Sequence, residues 1–220
     1  MTLPEYITVD CYGTLTDFDL APATLQILQS RLDEADTGAF LSEFEKIRFE
    51  EVLGEYRPYR EVLHRSLERA MDQFGLDYTD EDGDALVSAV PTFGPFPDVP
   101  PALERIRPHC KLVIISNTED DLIAANVEKI GVPFHCVITA EQARAYKPTP
   151  AAFHYVLETL GTDKENILHV AQGFNYDIMP AHDLGWKCVW INRRNQPGNL
   201  AYGPYDELPD LSALPGLIGV

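Results

Sequence analysis

The sequence predicts an α/β fold, a doubly wound, Rossmann-like parallel sheet interrupted by an inserted all-helical domain. Three observations carry that prediction. A short β-branched run, Tyr6-Ile7-Thr8-Val9, ends abruptly at Asp10 and is followed by a turn containing Gly13, the pattern of a buried strand that delivers a carboxylate at its tip. From Pro22 to about Val90 the apolar spacing changes to that of helices. After a proline-rich crossing, strand-like and helix-like segments alternate as far as Ile191, and such a βα rhythm implies parallel strands. At 220 residues there is room for one substantial core and a small accessory unit. The expected division is 1–20 and 92–220 for the core and 21–91 for the insertion.

Within the insertion, Val62, Leu63, Leu67, Ala70, Met71 and Phe74 recur at helical spacing, and Gly75 follows as a stop. Pro91 to Pro101 is too rich in proline for regular structure and is expected to return the chain to the core. Leu112 to Ile115 reads as the next strand. Thr118, with Asp121 three residues on, resembles a capping box for a helix that stops near Gly131, and Val137-Ile138-Thr139 reads as a strand. Thr149-Pro150 opens a helix ending near Gly161, Ile167 to Ala171 is a strand, and Asp177 to Leu184 is a helix closed by Gly185. Cys188 to Ile191 is a further strand. Beyond Asn195 the Pro and Gly content predicts an irregular tail, and no internal repeat or low-complexity tract is present.

Hydrophobic residues make up 45% and charged residues 24%, the balance of a folded domain rather than a disordered chain. Seventeen basic residues against thirty-five acidic ones leave a net charge of -18, which repels nucleic-acid phosphates and anionic membranes and argues against both as partners. Any anion site must therefore create its own positive potential from a buried lysine or backbone amides. Cys11, Cys110, Cys136 and Cys188 sit singly, so neither a zinc site nor a disulfide framework is indicated and a reducing cytoplasm is the expected setting. No secretory signal and no run of about eighteen apolar residues is read, so a membrane span is not expected.

Strand tips of a parallel sheet converge on one edge. Asp10, Ser116 with Asn117, Lys147 and Asp177 all follow or flank strands in this sequence, so they are expected to assemble into one pocket as nucleophile, polar cradle, cation and second acid. Their order and spacing are specific. Asp10-Cys11-Tyr12-Gly13-Thr14-Leu15, Ile115-Ser116-Asn117, Tyr146-Lys147-Pro148 and the segment from Val170 to Asp177 resemble, in series, the four motifs of the haloacid dehalogenase superfamily. The resemblance covers roughly residues 5 to 20 and 95 to 195, and the helical insertion resembles that family's cap domain in position and character. It implies that Asp10 is a nucleophile, that Lys147 keeps Asp10 ionised while offsetting the charge of a small anionic substrate, and that Thr14 either fixes the Asp10 rotamer or serves as a turn hydroxyl. It also implies a homodimer, with the cap as a contact surface.

Most members of that superfamily transfer phosphoryl groups with Mg²⁺, and this sequence departs from their pattern twice. Tyr12 stands where a phosphatase has a second aspartate, and Gln172 stands where it usually has an acid. A phenol of pKa about 10 is a poor proton donor, and Mg²⁺ prefers anionic oxygens, so neither a metal nor another cofactor is expected. The set instead resembles the L-2-haloacid dehalogenase branch. By that analogy Asp10 attacks C2 of a 2-haloacid, and a water activated by Asp177 hydrolyses the resulting ester. Ser116 and the backbone amides at Cys11 and Tyr12 would hold the substrate carboxylate, with Asn117 near the departing halide and Gln172 or Asn175 holding the water. That branch uses an arginine and aromatic residues of the cap for the halide; Arg48, Tyr56, Arg57, Tyr59 and Arg60 are on offer, with Arg48 and Tyr59 taken as candidates. Ring opening of a cyclic imino acid and a Mg²⁺-dependent phosphatase with atypical motifs stay open.

Overall fold

A computed structural model describes residues 3–220; Met1 and Thr2, assigned to the core by the sequence division, lie outside the described residues. Strand β1 (Tyr6–Val9) is buried at every position, as its continuous apolar and β-branched character requires of a strand covered on both faces. It lies between β2 (Lys111–Ser116) and β4 (Ile167–Ala171). Outside these run β3 (Cys136–Thr139) on one side and β5 (Lys187–Ile191), then β6 (Asp206–Leu208), on the other. All pairs are parallel, in the order β3-β2-β1-β4-β5-β6. The winding direction reverses at β1, which opens a crevice at its carboxyl end. Val9 is in register with both Ile114 and Val170, so the residues that follow β1, β2 and β4 emerge side by side.

Helices α1 (Ala21–Leu28), α2 (Thr37–Leu53), α3 (Tyr59–Gln73) and α4 (Asp80–Ala89) follow β1 and share a hydrophobic cluster that includes Phe40, Phe44, Ile47, Leu63, Leu67, Met71 and Leu86. The residues expected at helical spacing, Val62 to Met71, form the buried stripe of α3. The sheet helices are α5 (Val99–Ile106), α6 (Asp120–Ile130), α7 (Ala140–Ala143), α8 (Pro150–Leu160), α9 (Met179–Asp183) and α10 (Leu214–Ile218). Gly131, Gly161 and Gly185 all take positive φ where the sequence places helix stops.

Four local expectations are corrected. The proline-rich crossing is not irregular throughout, because Pro100 and Pro101 fall in the first turn of α5, where a missing N–H breaks no helical bond. Thr118 forms no capping box: α6 begins at Asp120, whose N–H donates to the Glu141 carboxylate at 2.8 Å. The segment before α9 is a π-helical turn, Phe174–Ile178, rather than the start of an α-helix. The tail is ordered by β6 and α10, β6 being held by its parallel pairing with β5.

Candidate active site

Asp10 immediately follows β1, Lys147 lies in the loop before α8, and Asp177 lies in the π-helical turn after β4; the three side chains meet at the carboxyl edge of the sheet. The Lys147 ammonium has three donors and all are used. They reach Asp10 Oδ1 at 2.8 Å, Asp177 Oδ1 at 2.6 Å and the Ile115 carbonyl at 3.0 Å. Asp10 Oδ2 accepts from Thr14 Oγ1 at 2.7 Å, while the Gln172 N–H donates to the same hydroxyl at 2.8 Å. With its oxygen accepting from Gln172, the Thr14 hydroxyl gives its proton to the Asp10 carboxylate. Asn117 spends its amide on the backbone of Lys147: Nδ2 donates to the Lys147 carbonyl at 2.7 Å, and Oδ1 accepts from its N–H at 2.8 Å. It thus positions the cation from the neighbouring loop.

All three charges are nearly or fully buried. One ammonium faces two carboxylates, and the deficit appears in their protonation. Burial pushes the Asp10 carboxyl above its usual range, and the pull of Lys147 offsets only part of this. Burial acts upward on Asp177 too, but Lys147 and His169 outweigh it and hold that carboxyl low. For Lys147, burial favours the neutral amine, yet the two carboxylates prevail and raise its pKa. The fixed cation is therefore Lys147, the secure anion Asp177 and the more basic oxygen pair Asp10.

A cavity of about 470 Å³ opens above this cluster, within the range of small-molecule sites. It is lined by Asp10, Tyr12, Ser116, Asn117, Lys147, Gln172, Asn175 and Asp177 from the sheet side and by Arg48 and Tyr59 from the helical side. Cys11 is not among its walls: its side chain is fully buried in the sheet core, so at that position only backbone faces the turn. Tyr12 lines the cavity with its ring, stacked on Phe18 at 4.5 Å, but its hydroxyl turns away to donate to Asn126 Oδ1 at 3.1 Å. Burial raises the Tyr12 phenol pKa, leaving it a poor acid.

The helical arginines separate clearly. Arg57 meets Glu51 and Glu61, and Arg60 meets Glu119 and Asp121. Arg48 meets no carboxylate among the described residues; its guanidinium lies 5.9 Å from the centroids of Phe18 and Phe44, and Nη1 donates to the Tyr59 hydroxyl at 3.4 Å. Tyr56 stacks instead on Tyr146, away from the cavity lining. Three buried side-chain polar atoms lack a hydrogen-bond partner among the described residues: Arg48 Nε, Ser116 Oγ and Thr118 Oγ1. The first two belong to residues that line the cavity, one on its sheet side and one on its helical side.

Two supporting residues were not anticipated. His169 reaches Asp177 from within β4, and Arg193 donates to the Thr14 carbonyl at 2.9 Å while forking onto Asp98 at 2.8 and 3.0 Å. A histidine inside the apolar run Ile167 to Ala171 was the available signal for the first. Arg193 carried none, since its acceptors are a backbone carbonyl and an aspartate far away in the chain.

Mg²⁺ does not fit this donor set. The two carboxylates already share one ammonium, Gln172 is neutral, and no cluster of three or more His, Cys, Asp or Glu side chains able to hold a metal occurs among the described residues.

Comparison with known proteins adds an independent line. Residues 5–185 match a hydrolase family model described as haloacid dehalogenase-like hydrolase. The chain is 28% identical over 221 residues to haloacetate dehalogenase H-2 of Moraxella sp. (strain B), covering 98% of each. It is 25% identical over 193 residues to an (S)-2-haloacid dehalogenase of Xanthobacter autotrophicus, covering 86% of this chain and 76% of the relative. Among solved structures, an L-2-haloacid dehalogenase superposes with a TM-score of 0.87 at 21% identity over the full length of both chains.

Proposed function

The chain belongs to the haloacid dehalogenase-like hydrolase family, and on that premise we propose that it is a metal-independent dehalogenase converting a small (S)-2-haloacid to a 2-hydroxy acid. The observation that carries this reading is a cavity lined on its sheet side by Asp10, Lys147 and Ser116 and on its helical side by Arg48, an arginine that meets no carboxylate among the described residues. Ser116 Oγ on the sheet side suits the substrate carboxylate, and the Arg48 guanidinium on the helical side suits a departing halide.

In the first step an Asp10 oxygen attacks C2 from the face opposite the halogen. The new C–O bond forms as the C–X bond breaks with its electron pair, giving halide beside Arg48 and inverting C2. Thr14 and Lys147 hold one Asp10 oxygen each, so the attack proceeds from a fixed rotamer. In the second step water attacks the carbonyl carbon of the Asp10 ester. Asp177 takes the water proton and returns it to the departing oxygen of the hydroxy acid, and Asp10 is regenerated with one oxygen from water. No general acid is needed for halide departure, which accounts for Tyr12 in a place where a phosphatase has an aspartate. An arginine without a carboxylate partner also favours an anionic leaving group over the amine of a cyclic imino acid, which needs a proton to depart.

The test is halide release from 2-chloropropionate or bromoacetate in EDTA. Asp10→Asn is expected to abolish it. One turnover in ¹⁸O water is expected to label Asp10 and leave the first hydroxy acid unlabelled. Label in the first product, or phosphate-ester hydrolysis that depends on Mg²⁺, overturns the reading.

A further inference from the structure

Thr8 of β1 and His169 of β4 stand opposite each other in the parallel register, both fully buried on strands that are otherwise apolar around them. Thr8 Oγ1 lies 2.9 Å from His169 Nδ1, and His169 Nε2 lies 3.0 Å from Asp177 Oδ1. A carboxylate can only accept, so Nε2 carries the hydrogen in that bond. The ring packs edge-on against Phe153 and Trp186, with centroids 5.9 and 6.2 Å away. Sheet pairing asks for no such polar pair, and burying it carries a desolvation cost that an aliphatic residue would avoid.

The consequence falls on Asp177. Its Oδ1 is held twice, by Lys147 at 2.6 Å and by His169 at 3.0 Å, whereas no hydrogen bond among the described residues engages Oδ2. Oδ2 presses against Gly173, where a Cβ would sit 2.5 Å away, and Gly173 and Asp177 both line the cavity. We propose that His169 is a positioning residue: by holding Oδ1 from within the sheet, it aims Oδ2 of Asp177 at the water that opens the Asp10 ester. The inference rests on the ester route above and assigns His169 to its second step alone. Lys147 cannot do this by itself, because it is shared with Asp10 and its pull on Asp177 changes when Asp10 is esterified.

Single-turnover experiments with 2-bromopropionate in EDTA, following the Asp10-containing peptide by mass spectrometry, separate the two steps. His169→Leu is expected to leave ester formation within a few-fold of wild type and to slow ester breakdown on the order of 100-fold, so that the adduct accumulates. His169→Gln, whose amide places a donor near the Nε2 position, is expected to recover most of that loss. Thr8→Val, which keeps the ring but frees Nδ1, is expected to show the same selectivity at a smaller size and serves if the leucine variant does not fold. Equal slowing of both steps, or no adduct in any variant while wild type turns over, overturns the inference.

A readout that needs no turnover distinguishes its failure from failure of the dehalogenase reading. The titratable and charged groups around Asp177 are Lys147, Asp10, His169, the Tyr176 phenol and the Cys188 thiol of β5. With ¹³C-labelled aspartate carboxyls, the Asp177 titration followed by NMR is expected to move to higher pH in His169→Leu and to stay in place in His169→Gln. An unmoved titration overturns the inference even if haloacids are substrates.

Discussion

The sheet edge and the helical face that closes the cavity hold their charges in opposite ways. At the edge every donor of Lys147 has an acceptor, both oxygens of Asp10 are bonded, and the Thr14 hydroxyl both donates and accepts. On the helical face Arg48 has one long bond to Tyr59 and a buried Nε with no partner among the described residues. The Asp10–Lys147 pair at the edge is satisfied before anything binds, whereas Arg48 on the helical face holds its charge without a carboxylate partner among the described residues. Disturbing the first should therefore damage fold and chemistry together, and disturbing the second should damage chemistry alone.

The sharpest way to break that contrast is to remove the shared cation. Lys147→Met leaves two buried carboxylates without their common partner. Loss of one member of a buried ion cluster costs about 3–5 kcal/mol of stability, and kcat/KM is expected to fall on the order of 1000-fold or more. Urea melts and halide release on the same preparation measure both. A variant with the wild-type urea midpoint would mean that the edge is not self-contained. Next in size is Arg48→Ala, expected to lower kcat on the order of 100- to 1000-fold while the urea midpoint stays put. Arg57→Ala and Arg60→Ala provide the control. Their guanidiniums are occupied by Glu51, Glu61, Glu119 and Asp121, so halide release is expected to change by no more than a few-fold.

The pH profile sharpens the contrast without mutation. On the proposed route Asp10 attacks only as the carboxylate, and burial pushes its pKa above the ordinary aspartate range. As pH falls through that raised value the nucleophile becomes protonated, so kcat/KM is expected to drop tenfold per pH unit on a limb centred above where a free aspartate would place it. Asp177, held low, remains ionised through the same window. Initial rates from pH 4 to 8 check this, and a limb at the value of an unperturbed aspartate would show that Lys147 compensates Asp10 fully.

The same division marks how much was legible in the sequence. Asp10 and Asp177 could be brought together because parallel strands in register leave their ends at one edge whatever lies between them, whereas Lys147, in the loop between α7 and α8, joined them through its Tyr-Lys-Pro motif. Arg48 could be offered only as a candidate. Helical spacing says which residues share a stripe but not which arginine is already neutralised, and the partners that occupy Arg60, Glu119 and Asp121, lie in the other part of the chain. Thr118 misled for a related reason: the α6 N-terminus is served by Glu141 from α7 instead of by a local hydroxyl. β6, with the sequence Asp-Glu-Leu, has no strand pattern of its own and exists through pairing with β5. Cys11 matched the motif as a position, but alternation after a buried strand turned its side chain into the core.

The smallest expected effect lies on the seam between the two regions. The Tyr12 hydroxyl donates to Asn126 Oδ1, and Asn126 Nδ2 donates in turn to the carbonyls of Val90 and Phe93, where the chain leaves the helical insertion. Tyr12→Phe deletes the first of these bonds and keeps the ring stacked on Phe18. One buried acceptor on Asn126 then goes unmet, for a loss of about 1–3 kcal/mol, while its two donated bonds continue to hold the insertion's return. Because the hydroxyl points away from Asp10 and burial keeps the phenol neutral, turnover is expected to stay within a few-fold of wild type. Measured together, a lower urea midpoint with near-normal halide release would place Tyr12 in the seam. A hundredfold fall in kcat with an unchanged midpoint would instead move its hydroxyl into the chemistry and erase the reason why a phenol can stand where a phosphatase needs an acid.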